Sequence, residues 1–144
     1  MKIAMKYKHS SVFIYCLLVL LVVSCAREIP VQQVRIRRGL VYQKGADEPF
    51  SGFVTGISRE GYRDQKCRFK KRYKDGVLNG RSEFYYPNGK LESIEPYENG
   101  ELNGIVTRYY DSGQIRARIH FVEGMRGGDK GEMFWDENGK RILG

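Results

Sequence analysis

The sequence predicts an all-β fold, an elongated meander of consecutive β-hairpins that follows an N-terminal export signal. Three observations lead to this prediction. Glycine turns recur with a spacing of 24 residues, and an apolar run ends at Cys25. The segment Ile115–Phe121 alternates apolar and polar residues with the period of two that is typical of a half-buried strand. The helical period is absent from the repeated segment.

The first 24 residues have the regional order of an export signal. Lys2, Lys6 and Lys8 form a cationic start, and the apolar run Val12–Val23 follows it. A helix that spans the hydrocarbon layer needs about 20 apolar residues, and this run is shorter. We therefore expect it to act as a signal peptide rather than to remain as an anchor helix.

The end of the apolar run, Val22-Val23-Ser24-Cys25, resembles the bacterial lipobox. The resemblance implies cleavage before Cys25 and attachment of acyl chains such as palmitate, so that the mature lipoprotein is held in a membrane. Two or three acyl chains bind stably, whereas one is marginal. Ala26 replaces the aspartate that retains such proteins at the inner membrane, which implies the outer membrane of the cell envelope, in an organism that has one. The alternative is an ordinary secretory signal with an incidental cysteine.

Charge divides the remaining chain into two halves. Residues 27–81 carry 14 basic and 6 acidic side chains, whereas residues 82–144 carry 8 basic and 11 acidic ones. Each cation near an anionic membrane contributes about 1 kcal/mol of attraction, so the basic half suits an orientation on such a surface. Residues 25–44 are polar and basic with scattered valines, and we interpret them as a tether that leads into a first strand near residues 39–43.

A repeat fills the rest of the chain. Four landmarks recur 24 positions later: Asp75-Gly76, Asn79-Gly80, Tyr85-Tyr86 and Asn88-Gly89-Lys90 return as Asn99-Gly100, Asn103-Gly104, Tyr109-Tyr110 and Ser112-Gly113-Gln114. A longer third copy carries Glu123-Gly124, Gly127-Gly128, Phe134-Trp135 and Asn138-Gly139-Lys140, and a degenerate earlier copy starts near Pro49. We divide residues 45–144 into units at about 49–72, 73–96, 97–120 and 121–144. Such short units bury their apolar faces only against their neighbours.

Each unit is predicted to form two strands joined by glycine turns. Pairs such as Asp75-Gly76 tolerate positive φ and mark tight connections between antiparallel strands. Pro96 lacks an N–H group for the strand ladder, which predicts a bulge or a sheet edge at this position. Gly80, Gly104 and Gly128 recur between the turns and are predicted to permit a close approach of stacked backbones.

Two runs carry a specific resemblance. Tyr-Lys-Asp-Gly-x-x-Asn-Gly at 73–80, followed by Phe-Tyr-Tyr-Pro-Asn-Gly-Lys-Leu at 84–91, resembles the bacterial variant of the MORN repeat, and the similarity covers about residues 50–141. It implies a MORN-type sheet of consecutive hairpins. Many bacterial members of this family are lipoproteins of unknown role, and some are described as antitoxins. Eukaryotic relatives are associated with membranes and protein scaffolds, and some have been suggested to bind phospholipid.

Residues 66–74 alternate between cationic and largely apolar side chains. As a strand they place Cys67, Phe69 and Tyr73 on one face, and five cations on the other, namely Lys66, Arg68, Lys70, Arg72 and Lys74. A row of like charges repels itself unless solvent or an anionic partner screens it. These five residues are therefore a candidate polyanion-binding surface for phospholipid head groups or an acidic protein. The alternative is a solvated face that discourages edge-to-edge aggregation.

Aromatic pairs recur once in each of three units. Neighbouring residues of a strand point to opposite faces, so one ring of each pair fills the core and the other decorates the outer face. The outer rings form a candidate aromatic surface for a glycan or peptide. The alternative is that both rings of each pair only pack a thin sheet. The candidates are Tyr85, Tyr86, Tyr109, Tyr110, Phe134 and Trp135.

Catalysis and metal binding find little support. With Cys25 lipidated, Cys67 has no partner for a disulfide, and His120 is the one histidine after the signal. Neither residue belongs to a spacing that is typical of metal ligands. We therefore predict a non-enzymatic protein without cofactor or metal. It acts as a lipid-anchored envelope module that binds or scaffolds a protein, a glycan or an anionic surface.

The alternative function is an antitoxin or immunity-like partner of a toxin, which the family resemblance allows. Nucleic acid is not expected as a partner, because an exported, lipid-tethered protein rarely meets it.

Overall fold

The computed structural model describes residues 27–58, 67–127 and 131–142, and most of these residues lie in strands or tight turns. The strands are β1 (Glu28–Pro30), β2 (Val34–Arg37), β3 (Leu40–Gln43), β4 (Gly52–Ser58), β5 (Cys67–Lys74), β6 (Val77–Leu78), β7 (Gly80–Tyr85), β8 (Leu91–Glu98), β9 (Glu101–Leu102), β10 (Gly104–Tyr109), β11 (Ile115–Val122), β12 (Met125–Arg126), β13 (Glu132–Trp135) and β14 (Arg141–Ile142). Val31–Gln33 form one turn of 3-10 helix. The predicted all-β fold is confirmed.

The proposed signal peptide and Cys25 lie outside the described residues. Within the described ranges, no helix has the length and apolar character needed to cross a bilayer.

Consecutive hairpins form one open sheet. The strand order is β1-β4-β5-β7-β8-β10-β11-β13-β14, and the short strands β6, β9 and β12 pair with β5, β8 and β11. Strand β1 runs parallel to β4, whereas the pairs from β4 onward are antiparallel. Strands β2 and β3 form a separate two-stranded sheet. From β4 onward the spatial order follows the chain, which is the predicted meander of hairpins.

Hairpin tips link each repeat to the preceding one. Asp75, Asn99 and Glu123 have φ near +50°, and the glycine after each also has positive φ, as two-residue hairpin turns require. The N–H of that glycine donates to a carbonyl of the preceding repeat: Gly76 to Phe50 at 2.9 Å, Gly100 to Leu78 at 2.8 Å and Gly124 to Leu102 at 2.9 Å. Stacking is therefore specified by the same residues that form the turns.

Tyrosine hydroxyls form a second set of links and correct the alignment of the third unit. Tyr86 Oη donates to the carbonyl of Tyr109 at 2.6 Å, and Tyr110 Oη donates to that of Trp135 at 2.8 Å. Trp135 therefore occupies the place of Tyr109, although the sequence suggested that of Tyr110. The connection from β12 to β13 is longer than the connections from β6 to β7 and from β9 to β10. The strand that follows it is therefore shifted by one further residue.

The N-terminal segment caps one face of the sheet. Residues 25–44 were interpreted as a tether that leads into a strand near residues 39–43; β3 lies there, but the described part before it also forms β1 and β2. The N–H of Val41 donates to the carbonyl of Gly76, and the N–H of Phe50 donates to that of Val41. The tether interpretation fails because this polar segment holds a few apolar residues that contact distant strands. The core consists of Ile29, Val41, Phe50, Val54, Cys67, Phe69 and Phe84.

In each long hairpin, a β-bulge separates the short strand that follows the tip (β6, β9 or β12) from the next strand (β7, β10 or β13). The predicted bulge at Pro96 is found, because the register of β8 with β9 differs from its register with β10. Gly80 and Gly104 have φ of +98° and +116°. Their predicted close contacts are with side chains rather than backbones, since an added Cβ would lie 2.7 Å from Cδ of Arg72 and 3.1 Å from Cγ of Pro96. Gly128 lies outside the described residues.

Candidate functional site

Strand β5 separates two chemically different faces of the sheet. Arg68, Lys70, Arg72 and Lys74 lie on one face, which we call the basic face. On the other, the core face, lie Cys67 and Phe69, which are 3% and 7% exposed. The structure therefore brings four of the five predicted cations into one row, while Lys66 lies outside the described residues.

The cations of the basic face contact aromatic rings and one carboxylate. Lys70 Nζ lies 2.6 Å from Glu28 Oε2 and 4.6 Å from the centre of the Phe53 ring. The guanidinium of Arg72 is 5.7 Å from the same ring, and that of Arg68 is 5.9 Å from the ring of Tyr85. Such contacts hold the charged groups near the sheet while leaving them accessible.

A second carboxylate on this face is bonded to its own neighbours. Glu83 Oε1 lies 2.9 Å from Nε of Arg81, and Glu83 Oε2 accepts a hydrogen bond from Tyr85 Oη. Burial and the adjacent Glu83 carboxylate raise the pKa of Tyr85 to about 12, so this phenol is neutral at physiological pH. Glu28 is paired with Lys70 and Glu83 with Arg81, so the basic face keeps an excess of positive charge.

An apolar hollow lies within the basic face. It encloses about 370 Å³ and is lined by Thr55, Gly56, Ile57, Arg68, Phe69, Lys70 and Tyr85. The side chain of Ile57 is 63% exposed, so it adds apolar surface beside the two cations. The hollow thus combines an apolar floor with positive edges. This arrangement suits a partner that presents anionic groups above apolar ones.

The six candidate aromatic residues are all half-buried and do not form one continuous surface. Strand alternation places Tyr85, Tyr109 and Trp135 on the basic face. Phe134 lies opposite the buried Ala117 on the core face. The hydroxyls of Tyr86 and Tyr110 are used in the links between repeats described above. Sequence reasoning found these rings but not the structural bonds of two of them.

Cys67 and His120 are not brought together. Strands β5 and β11 are separated by β7, β8 and β10, which corresponds to about 19 Å at the usual strand spacing. Cys67 is buried, with Sγ 3.8 Å from the carbonyl oxygen of Ser58. His120 is half-buried. Among residues 27–58, 67–127 and 131–142 no cluster of three potential metal ligands is found.

Comparison with known proteins identifies two repeat units. The family model of the MORN repeat variant matches residues 78–99 and 102–123, which contain the β7–β8 and β10–β11 hairpins. This repeat is a non-enzymatic type that is common in binding and scaffold modules. No curated protein and no solved structure matches the chain.

Proposed function

We propose that this chain is a lipid-anchored, non-catalytic binding module of the cell envelope whose basic face lies against an anionic phospholipid surface. The two MORN repeat variant units and the meander of hairpins support a binding or scaffold role. The observation that carries the choice of partner is the row of Arg68, Lys70, Arg72 and Lys74 beside an apolar hollow. Each cation near an anionic membrane adds about 1 kcal/mol of attraction.

The position of the proposed lipid supports this orientation. The carbonyl of Arg27 accepts a hydrogen bond from the N–H of Phe53 at 2.7 Å. Cys25 lies two residues earlier, and two extended residues span at most about 7 Å. Acyl chains on Cys25 would therefore bring the β1–β4 edge of the sheet, together with the neighbouring basic face, close to the head groups.

Lipidation is tested by metabolic labelling with a fatty-acid probe. The wild-type chain is expected to incorporate the label, and Cys25→Ala is expected to lose it. Membrane fractionation of the same cells then reports whether the labelled protein reaches the outer membrane. An unlabelled wild-type chain that retains its initiator methionine contradicts the anchor.

Charge recognition is tested separately with the full chain and two kinds of vesicle, one of phosphatidylcholine and one with added phosphatidylglycerol. We expect Lys70→Glu/Arg72→Glu to reduce the preference for the anionic vesicles at least tenfold in a flotation assay. The matched control is Lys140→Glu/Arg141→Glu, which reverses two exposed charges at the β14 end of the sheet, far from the cations of β5. Equal effects of the two double variants, or no effect of either, contradict the proposed surface.

A further inference from the structure

A groove of about 220 Å³ lies on the core face, where the N-terminal cap no longer covers the sheet. Phe84 and Ser93, which pair across β7 and β8, lie at its floor and are 8% and 6% exposed. Lys71 borders the groove on the side of the core, and Arg108 borders it on the side of the later repeats. A small side chain at Ser93 leaves space between these longer neighbours.

Two β-bulges direct charged side chains into this groove. Phe84 pairs with Ser93 and Tyr85 pairs with Leu91, so Glu92 is an extra residue in β8. The same irregularity between Arg108 and Tyr109 makes Arg116 an extra residue in β11. An extra residue bends its strand and changes the direction of its side chain. Glu92 and Arg116 consequently both line the groove.

The charges that line the groove are nearly balanced. Three cations, Lys71, Arg108 and Arg116, share it with the carboxylates of Glu92 and Glu95. Glu95 is held in place because Oε2 accepts a hydrogen bond from Tyr97 Oη at 2.7 Å, and Oε1 accepts one from Ser93 Oγ at 3.3 Å. The basic face differs, because its cations outnumber its carboxylates.

Aromatic rings provide the apolar part of the groove. Phe84, Tyr86 and Tyr97 line it, and Lys71 Nζ lies 5.5 Å from the centre of the Phe84 ring. A guanidinium offers five donors and a carboxylate about four acceptor sites. Both retain hydrogen-bonding capacity for a ligand even when they are paired with each other.

We propose that this groove binds an uncharged saccharide. Near-balanced charges give little net attraction for an ion, whereas Arg and Glu side chains that line one groove can donate to and accept from several hydroxyls at once. A sugar ring also has an apolar C–H face that can pack on aromatic side chains. The groove is therefore a second binding site, separate from the basic face and independent of whether the chain carries a lipid.

The test uses the full chain in detergent micelles with chitotetraose and maltotetraose as uncharged probes. Tetragalacturonate and the mixed-charge peptide Ala-Lys-Glu-Ala serve as competitors of other chemistry. Saturation-transfer NMR detects contact, and calorimetry gives the dissociation constant. We expect saturable binding of at least one uncharged probe. Glu92→Ala/Arg116→Ala should weaken it at least tenfold, and Ser93→Leu, which fills the groove, should abolish it.

The matched control is Glu137→Ala/Lys140→Ala, which removes one carboxylate and one cation from exposed positions outside the groove. It should leave binding unchanged, and circular dichroism shows whether each variant keeps the β fold. The proposal is overturned if neither uncharged probe saturates the folded protein, or if the control weakens binding as much as the groove variants. Tighter binding of tetragalacturonate or of the peptide overturns it as well, and membrane binding is measured in none of these assays.

Discussion

The bulges of the first two repeats solve one structural problem with different residues. Counted as hairpins, the first repeat is β5–β7, the second is β8–β10 and the third is β11–β13. In the first repeat the carbonyl of Arg72 accepts the N–H of Asn79, and the N–H of Arg72 donates to Ser82 Oγ at 3.4 Å. Ser82 is fully buried. In the second repeat, 24 residues later, Pro96 has no N–H to satisfy, and Val106 replaces the serine at 1% exposure.

This difference teaches that the residues at the bulge are matched in pairs. A buried N–H needs an acceptor, which the first repeat supplies from a hydroxyl and the second avoids by using proline. The longer third repeat has a further solution, in which the N–H of His120 donates to the carbonyl of Gly131 at 3.4 Å. All three repeats thus avoid an unsatisfied N–H group at this position, but they do so with different residues.

The largest effect on stability is expected when Arg72 and Ser82 of the first repeat are replaced by the proline and valine that the second repeat has at these positions. Ser82→Val leaves the N–H of Arg72 buried without its acceptor, which we expect to lower the free energy of unfolding by about 2 kcal/mol. Adding Arg72→Pro removes that donor and should recover at least half of the loss. Urea denaturation followed by circular dichroism measures both, and a double variant less stable than Ser82→Val would show that the two residues are not matched.

The reverse exchange in the second repeat should have a smaller effect. Pro96→Ala introduces an N–H that faces Val106 instead of an acceptor, and it increases the freedom of the unfolded chain, so we expect a loss of about 1 kcal/mol. Val106→Ser should be less harmful in the Pro96→Ala variant than in the wild type. A double-mutant cycle should give a favourable coupling of about 0.5 kcal/mol or more; strictly additive losses would contradict the matching.

The tyrosine links give a comparison in which the two repeats should behave alike. Tyr86→Phe and Tyr110→Phe each delete a hydroxyl that donates to a carbonyl of the next repeat. Each should lower the free energy of unfolding by about 1 kcal/mol, because this is the usual net contribution of such a bond. Thermal unfolding of the two variants checks this, and a loss in only one of them would show that the links are not equivalent.

The smallest effect concerns pH, at a position where the repeats differ again. Thr107 in the second repeat corresponds to Glu83 in the first. Burial is the main cause of the raised pKa of Tyr85, and Glu83 is the next. Since this pKa is about 12 in the fold and 10.0 ordinarily, the stabilisation from Tyr85 is complete below pH 10 and is lost as pH rises towards 12. Glu83→Thr should lower the titration midpoint of Tyr85, measured by ultraviolet difference absorption against Tyr85→Phe; an unchanged midpoint would contradict the role of Glu83.

Local patterns were predictable from the sequence because they depend on neighbouring residues. The Asp75-Gly76 and Asn99-Gly100 turns, the bulge at Pro96 and the shared face of Arg68, Lys70, Arg72 and Lys74 follow from φ preferences and strand alternation. These features need no knowledge of distant contacts.

The cap and the groove could not be predicted in this way. Ile29 and Val41 stand among polar residues, and their burial depends on strands far along the chain. Glu92 and Arg116 enter the groove only because bulges change the register of β8 and β11. Strict alternation would have assigned both residues to the opposite face, so a mixed-charge site could not be read from the residue pattern there.

The uneven distribution of buried apolar residues along the sheet has a consequence for local opening. Among the described residues, no apolar residue after Ile119 is buried, and Val122 and Met125 of the third hairpin are 41% and 69% exposed. Regions with few buried apolar contacts open at lower free energy than the rest of a domain. Amide hydrogen exchange should therefore be fastest in β12–β14 and slowest in β4–β7, so that the N-terminal end of the sheet stays closed while the distal hairpins open locally.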